Sequence, residues 1–357
     1  MTEAIRYFVP GPVWVRDEVR AAMTRPVVGH RSPEFRAVYD AISAALPPIF
    51  RTARPVLTAT ASSTFVMEAA LVSLTRRDLL HLVCGSFSER WVTIARALGR
   101  ESDVISVPWG RAIDPDLVRQ ALARKRYEAV LVTHNETSTG VMNPLAEIAR
   151  AVRDASDALV LVDAVSSLAG APVETDAWGL DVVLAGVQKG IAAPPGVTAF
   201  TFSERAEERA AGIAHRGFYT DFLRYLARHR AGGPITTPAV PVYFALARQL
   251  ERVLAEGIEA RWDRHRRLLD RTAQWSARVG ARFASAPDAR SWTVSCLEPP
   301  AGCRAPELVA RAAARGFTLG GGYGEWKQST YRIGHMGEVR ESDLAALLQV
   351  LEEEASS

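Results

Sequence analysis

The chain has 357 residues, 48% of them hydrophobic, enough to bury one large core and a smaller one. Its 43 basic and 40 acidic residues are interspersed and leave a formal net charge of +3, which argues against the clustered basic surface of a nucleic-acid-binding protein. Cys84, Cys296 and Cys303 lack metal-ligand spacing, no signal-peptide pattern opens the chain, and no apolar run approaches the ~20 residues that span a bilayer, so a cytoplasmic protein with no metal site and no membrane partner is predicted.

In chain order, residues 1–14 (MTEAIRYFVPGPVW) form an extended arm broken by Pro10, Gly11 and Pro12. A short helix over 15–23 precedes GHRSPEF, where Arg31 is expected to pair with a structural partner, an incoming carboxylate being the alternative. Apolar residues at 3.6-residue spacing predict an amphipathic helix over 35–50. PVLTAT (55–60) reads as a strand, and ASSTFVMEAALVSL as a turn opening a helix. Ser62, Ser63 and Thr64 fall at that helix start, where free N–H groups and the macrodipole make either an anion site or a set of plain N-caps. HLVCGSFSERW repeats strand, turn and helix, with Phe87 in the turn and Trp91 placed for helix packing. AVLVTHNETSTGVMNPL adds a strand and a loop carrying Glu136 and Thr137, with Gly140 allowing a tight turn and His134 and Asn135 in reach of the same rim.

A helix over 144–153 then leads to two apolar runs. The run 158–162 delivers Asp163 at its carboxyl end, and the run 181–186 leads into Gln188 and Lys189. In an open α/β sheet, ligands collect outside the carboxyl ends of strands, so Asp163 and Lys189 read as a carboxylate and an amine at one rim. Lysine is scarce here: Lys125 and Lys327 are the only others, and arginine carries the remaining positive charge. A desolvated lysine can lose its proton and attack a carbonyl carbon, which arginine cannot do. Lys125 sits in the polar segment ARKRYE, expected in solvent, and Lys327 in a glycine-rich loop. Farther on, VTAFTFS adds a strand, 204–235 is helical and arginine-rich, and GGPITTPAV enters a long helix that Thr236 or Thr237 is expected to cap. From about residue 260 the order becomes helix, strand, helix, strand, a small α+β unit that ends in ESDLAALLQVLEEEA.

DAVSS followed by GVQKGIAAPPG resembles the cofactor segment of the class V aminotransferases, pyridoxal-phosphate enzymes of fold type I that include alanine–glyoxylate and serine–pyruvate aminotransferases. Further resembling segments, from PGP and GHRSPEF to YRIGHMG, extend the match over most of the chain. The resemblance implies an α/β fold with a large domain over 15–259, built on a mostly parallel sheet with helices on both faces. A small α+β domain would comprise 260–357 with the arm 1–14. It further implies that Lys189 holds pyridoxal 5'-phosphate as a Schiff base and that Asp163 keeps the pyridine nitrogen protonated. Phe87 and Val165 would pack on the two ring faces, and Thr137 would donate to the phenolic oxygen. Ser62, Ser63, Thr64 and Gln188 would surround the phosphate, joined by Thr237 of the partner subunit in a homodimer with shared active sites. Many family members carry a tyrosine three positions before that threonine; Pro234 stands there instead, so one phosphate contact is missing or replaced. Arg332, in YRIGHMG, matches the arginine that pairs with the substrate carboxylate.

The expected reaction is transamination between a small amino acid, of alanine or serine type, and a 2-oxo acid such as glyoxylate or pyruvate. The alternatives are a lyase, a desulfurase or a pyridoxamine-type transaminase of the same family, and a non-enzymatic binding protein. The glycine run GGGYG comes too late for a dinucleotide fingerprint. A degenerate relative without cofactor would be expected to lose Lys189, Asp163 or Arg332, and all three stand here.

Overall fold

The computed structural model describes residues 4–355. A seven-stranded sheet runs in the order Leu57–Ala59, Thr198–Phe202, Val182–Gly186, Leu159–Asp163, Ala129–Thr133, Leu79–Val83, Ser102–Ser106. The central runs AVLVT, LVLVD and VVLAG are buried at every residue, as expected of strands covered on both faces. Side chains alternate between two cores. Val130, Val132, Val160 and Val162 enter one, while Ala129, Leu131, Leu159 and Leu161 enter the other.

Thr198–Phe202 runs antiparallel to both neighbours, and every other pairing in the sheet is parallel. The reason is the connection: residues 187–197 form no helix, and a chain without a crossover can only turn back. The register aligns Thr133 with Asp163 and Asp163 with Leu184, so the carboxyl ends of three strands meet at one rim.

A second, five-stranded sheet has the order Tyr7–Phe8, Thr318–Gly321, Tyr331–Gly334, Val294–Glu298, Arg282–Phe283. Helices Ile258–Val279, Ala305–Ala314 and Glu341–Ala355 cover it through Leu268, Trp275, Leu308, Leu344 and Leu347. The arm belongs to this sheet: Tyr7–Phe8 pairs parallel with Thr318–Leu319. It then crosses to the large sheet, where Val13 N donates to Gln188 O at 3.0 Å. Arg16 latches the crossing through an ion pair to the buried Glu338. Burial alone would raise the Glu338 pKa, but Arg261 and Arg16 beside it hold the carboxyl well below the usual range. Among the described residues, no helix is long and apolar enough to cross a membrane.

Two local expectations need correction. The long helix is Val240–Glu256, its N-cap is Ala239, and neither Thr236 nor Thr237 caps it. The helix starts beyond Pro238 with Pro241 in its first turn, which leaves both threonines exposed. Arg31 is exposed and forms no ion pair among the described residues, so its expected structural acid is absent.

Candidate active site

Lys189 follows Val182–Gly186 at the rim, in a turn that ends its strand at IAAPPG. Its side chain is held in a cleft under the arm, where Nζ donates to Pro10 O. Gly11 packs so closely that a Cβ there would lie 2.6 Å from Lys189 Nζ, and its φ of +98° is one that L side chains rarely adopt. Burial, helped by the nearby Arg332 guanidinium, lowers the Lys189 pKa to about 8 against the opposing pull of Asp163. A share of the amine is therefore unprotonated near neutral pH, as a nucleophile or base requires. The other two lysines differ. Lys125 pairs with Asp78 at 3.2 Å and Asp103 at 3.1 Å, and Lys327 is exposed.

Asp163 ends the neighbouring strand and is buried. Its Oδ1 accepts from Val165 N at 2.8 Å, and no other donor reaches the carboxylate among the described residues. Burial raises its pKa to about 6, opposed by the Val165 N–H. A buried acid with one neutral donor is incomplete, and a cationic N–H brought by a ligand would complete it.

Arg332 reaches the same rim from Tyr331–Gly334 of the small sheet. Its Nε donates to Gly321 O at 2.9 Å and its Nη1 to Thr137 O at 3.1 Å. The guanidinium carbon lies 5.3 Å from the centre of the Tyr323 ring. No carboxylate pairs with Arg332 among the described residues, which removes the structural ion pair as its role. A half-buried guanidinium bonded only to carbonyls keeps its charge available for an incoming anion. Amine, acid and cation thus converge from three separate stretches of chain.

The sequence profile of the aminotransferase class-V family matches residues 58–292, which include Asp163 and Lys189. The chain belongs to the class-V aminotransferases. It is 35% identical to the soluble hydrogenase small subunit of Synechococcus sp., over 99% of this chain and 93% of that protein. It is 32% identical to a serine–glyoxylate aminotransferase of Methylorubrum extorquens, over 94% of this chain and 87% of that one. Among solved structures, ureidoglycine–glyoxylate aminotransferase of Bacillus subtilis superposes with a TM-score of 0.91 at 28% identity, covering 99% of this chain and 93% of that one. The fold is type I of the pyridoxal-phosphate enzymes.

The remaining candidate positions of this class-V aminotransferase are distributed as follows. Ser62 is the exposed N-cap of helix Ser63–Leu74 and makes no side-chain cap bond, while the buried Ser63 hydroxyl meets Thr198 Oγ1 at 3.2 Å. Thr64 Oγ1 accepts from Arg90 Nη1 at 3.3 Å. A Cβ on Gly186 would lie 2.7 Å from Gln188 Oε1 and 2.8 Å from Ser63 Oγ, so the Gln188 amide and the start of this helix share one corner. Phe87 is half-buried, with its ring 5.5 Å from that of Tyr323, and Val165 is half-buried beside Asp163. Thr137 Oγ1 donates to Ser166 Oγ at 2.8 Å. His134 and His335 are buried and bonded to Ser167 and Ser295, and burial lowers both pKa values to about 4; neither is poised to exchange protons near neutral pH. Thr237 is not brought to this cluster. It lines a separate surface cavity of about 630 Å³ together with Arg31, Arg36 and Pro234.

Two residues that sequence reasoning did not assign a task stand out. Glu136, fully buried, accepts from the N–H groups of Phe87 and Ser88 and from the Ser88 and Ser138 hydroxyls, at 2.6–3.2 Å. Arg90 lies 5.0 Å from the Phe87 ring centre and, like Arg332, has no carboxylate partner among the described residues. Local sequence does not disclose these tasks, because the Phe87 and Ser88 N–H groups that Glu136 takes and the Thr64 hydroxyl that Arg90 meets are remote in the chain.

Proposed function

We propose that this aminotransferase moves an amino group between a small 2-amino acid, of alanine or serine type, and a 2-oxo acid such as glyoxylate or pyruvate, with pyridoxal 5'-phosphate held at Lys189. The observation that carries this reading is the convergence of a buried amine of pKa about 8, an incompletely satisfied buried carboxylate and an unpaired guanidinium on one rim. The name of the Methylorubrum relative, a serine–glyoxylate aminotransferase, supports the choice of substrates.

The residues present fit the cofactor. Bound there, pyridoxal phosphate supplies an electron-withdrawing ring that stabilises negative charge at the substrate α-carbon. Asp163 would hold the proton of the ring nitrogen, the N–H its carboxylate lacks. Phe87 and Val165 would flank the ring, with Thr137 toward its phenolic oxygen. Ser62, Ser63, Thr64 and Gln188 would receive the phosphate at the N-terminus of helix Ser63–Leu74, where N–H groups are free. Arg332 would bind the substrate carboxylate in a bidentate fork and so fix the α-carbon over Lys189. Lys189 Nζ would then take the α-proton and return it. Thr237 of the partner subunit would complete the phosphate site in a homodimer, with 15–259 as the large domain and 1–14 plus 260–357 as the small one. A donor without a carboxylate would leave Arg332 unpaired, which disfavours pyridoxamine-type chemistry.

Borohydride treatment of the loaded protein, digestion and mass spectrometry should find the pyridoxyl group on Lys189; label on Lys125 or Lys327 would overturn the assignment. In single-turnover assays the wild type should prefer an amino acid to its decarboxylated amine, and Arg332→Ala should erase most of that preference. A wild type that prefers the amine would put the pyridoxamine-type reading ahead.

A further inference from the structure

We infer that Tyr323 sets the upper size of the amino donor, restricting the site to 2-amino acids with side chains about as short as those of alanine and serine. This rests on the transaminase reading above. A donor must reach from Lys189, where its α-carbon reacts, to Arg332, where its carboxylate binds. The Tyr323 ring stands between the aromatic face and the carboxylate receptor, 5.5 Å from the Phe87 ring centre and 5.3 Å from the Arg332 guanidinium carbon. A substituent on the α-carbon therefore meets this ring as it lengthens.

Tyr323 is the one bulky residue in the run Gly320–Gly321–Gly322–Tyr323–Gly324, and the turn holding it is tightly packed. A Cβ on Gly322 would lie 2.7 Å from Thr330 O, so the turn closes on itself. Trp326 N donates to Tyr323 O at 3.0 Å, which tightens the short helical turn Gly324–Trp326. That turn docks on the other sheet's loop. A Cβ on Gly324 would lie 2.7 Å from Trp109 Cη2, and the Trp326 ring meets Trp109 edge-on at 5.3 Å and 76°. The Trp109–Trp326 contact thus fixes the backbone that carries Tyr323, while the ring itself is positioned by Phe87 and Arg332.

The test is a ladder of kcat/KM values for alanine, 2-aminobutyrate, norvaline and norleucine, with pyruvate or glyoxylate as acceptor. A methylene that does not fit costs on the order of tenfold, so the wild type should fall steeply along the ladder. Tyr323→Ala should flatten it, with norvaline gaining about tenfold in kcat/KM relative to alanine. Tyr323→Phe keeps the ring and should keep the ladder. Tyr323→Leu should give an intermediate slope, and it carries the test if Tyr323→Ala does not fold or bind cofactor. A wild-type ladder that is flat, or one equally steep in the alanine and leucine variants, would overturn the inference. Failure of the wild type on every donor would instead sink the transaminase reading.

Discussion

Lys189 carries a cost that its function requires. Its pKa of about 8 lies below the ordinary 10.5 because burial and Arg332 disfavour the charged form. Below about pH 8 both folded and unfolded chains hold the proton, and the folded state bears the full cost. As pH rises from about 8 to 10.5, the folded amine is neutral while the unfolded one is still charged, and the cost disappears. Lys189→Met, similar in volume but without charge, should therefore raise the melting temperature of the cofactor-free protein at pH 7, with the gain fading toward pH 10.5. Equal melting temperatures at pH 7 would show that the amine is not strained by its site. This residue was legible in sequence because it is rare in kind and stands at a strand end, and Asp163 and Arg332 were legible through their motifs. Glu136 was not, because a buried acceptor is defined by donors it meets only after folding, nor was Arg90, whose Thr64 acceptor lies on another helix.

At the level of elements, helix Ser86–Ala97 depends on help from outside. Its N-cap is Gly85, which has no side chain to offer, and its first N–H groups are taken by Glu136 from the short strand Asn135–Glu136, 48–49 residues away. Replacing Glu136 with Gln leaves one acceptor oxygen and turns the other into a donor facing donors. Loss of stability by about 1.5–3 kcal/mol in urea unfolding is expected; an unchanged unfolding midpoint would contradict this. Periodicity and apolar runs disclosed most strands and helices, including the buried strands that present Asp163 and precede Lys189. They did not disclose Ser102–Ser106, an edge strand with polar and exposed residues that lacks the core signature. They also did not give the direction of Thr198–Phe202, which follows from connection length. The expected threonine cap failed because Pro238 and Pro241 set the helix start farther along.

For the molecule as a whole, Thr237 and Arg31 line an exposed cavity apart from the Lys189 cluster, and the proposed homodimer gives that cavity a test. If the partner's cofactor sits there, Thr237→Ala should weaken cofactor affinity by about 1.5–3 kcal/mol, although Thr237 is not part of the Lys189 cluster in its own chain. Sedimentation should show a dimer, and a fully active monomer at low concentration would contradict the shared site. The two sheets are also joined in a way that bears on time rather than space. The arm pairs with Thr318–Leu319, Arg16 is latched to Glu338, and Pro10 and Gly11 wall in the amine. The first turns of the chain thus have no place to settle until almost the last have been made. During synthesis Pro10 and Gly11 precede Lys189, but the strand and the acid that hold them over it come far later in the chain, and until then the uncovered amine keeps its ordinary high pKa. The contacts that hold the roof in place therefore require a chain made through Glu338.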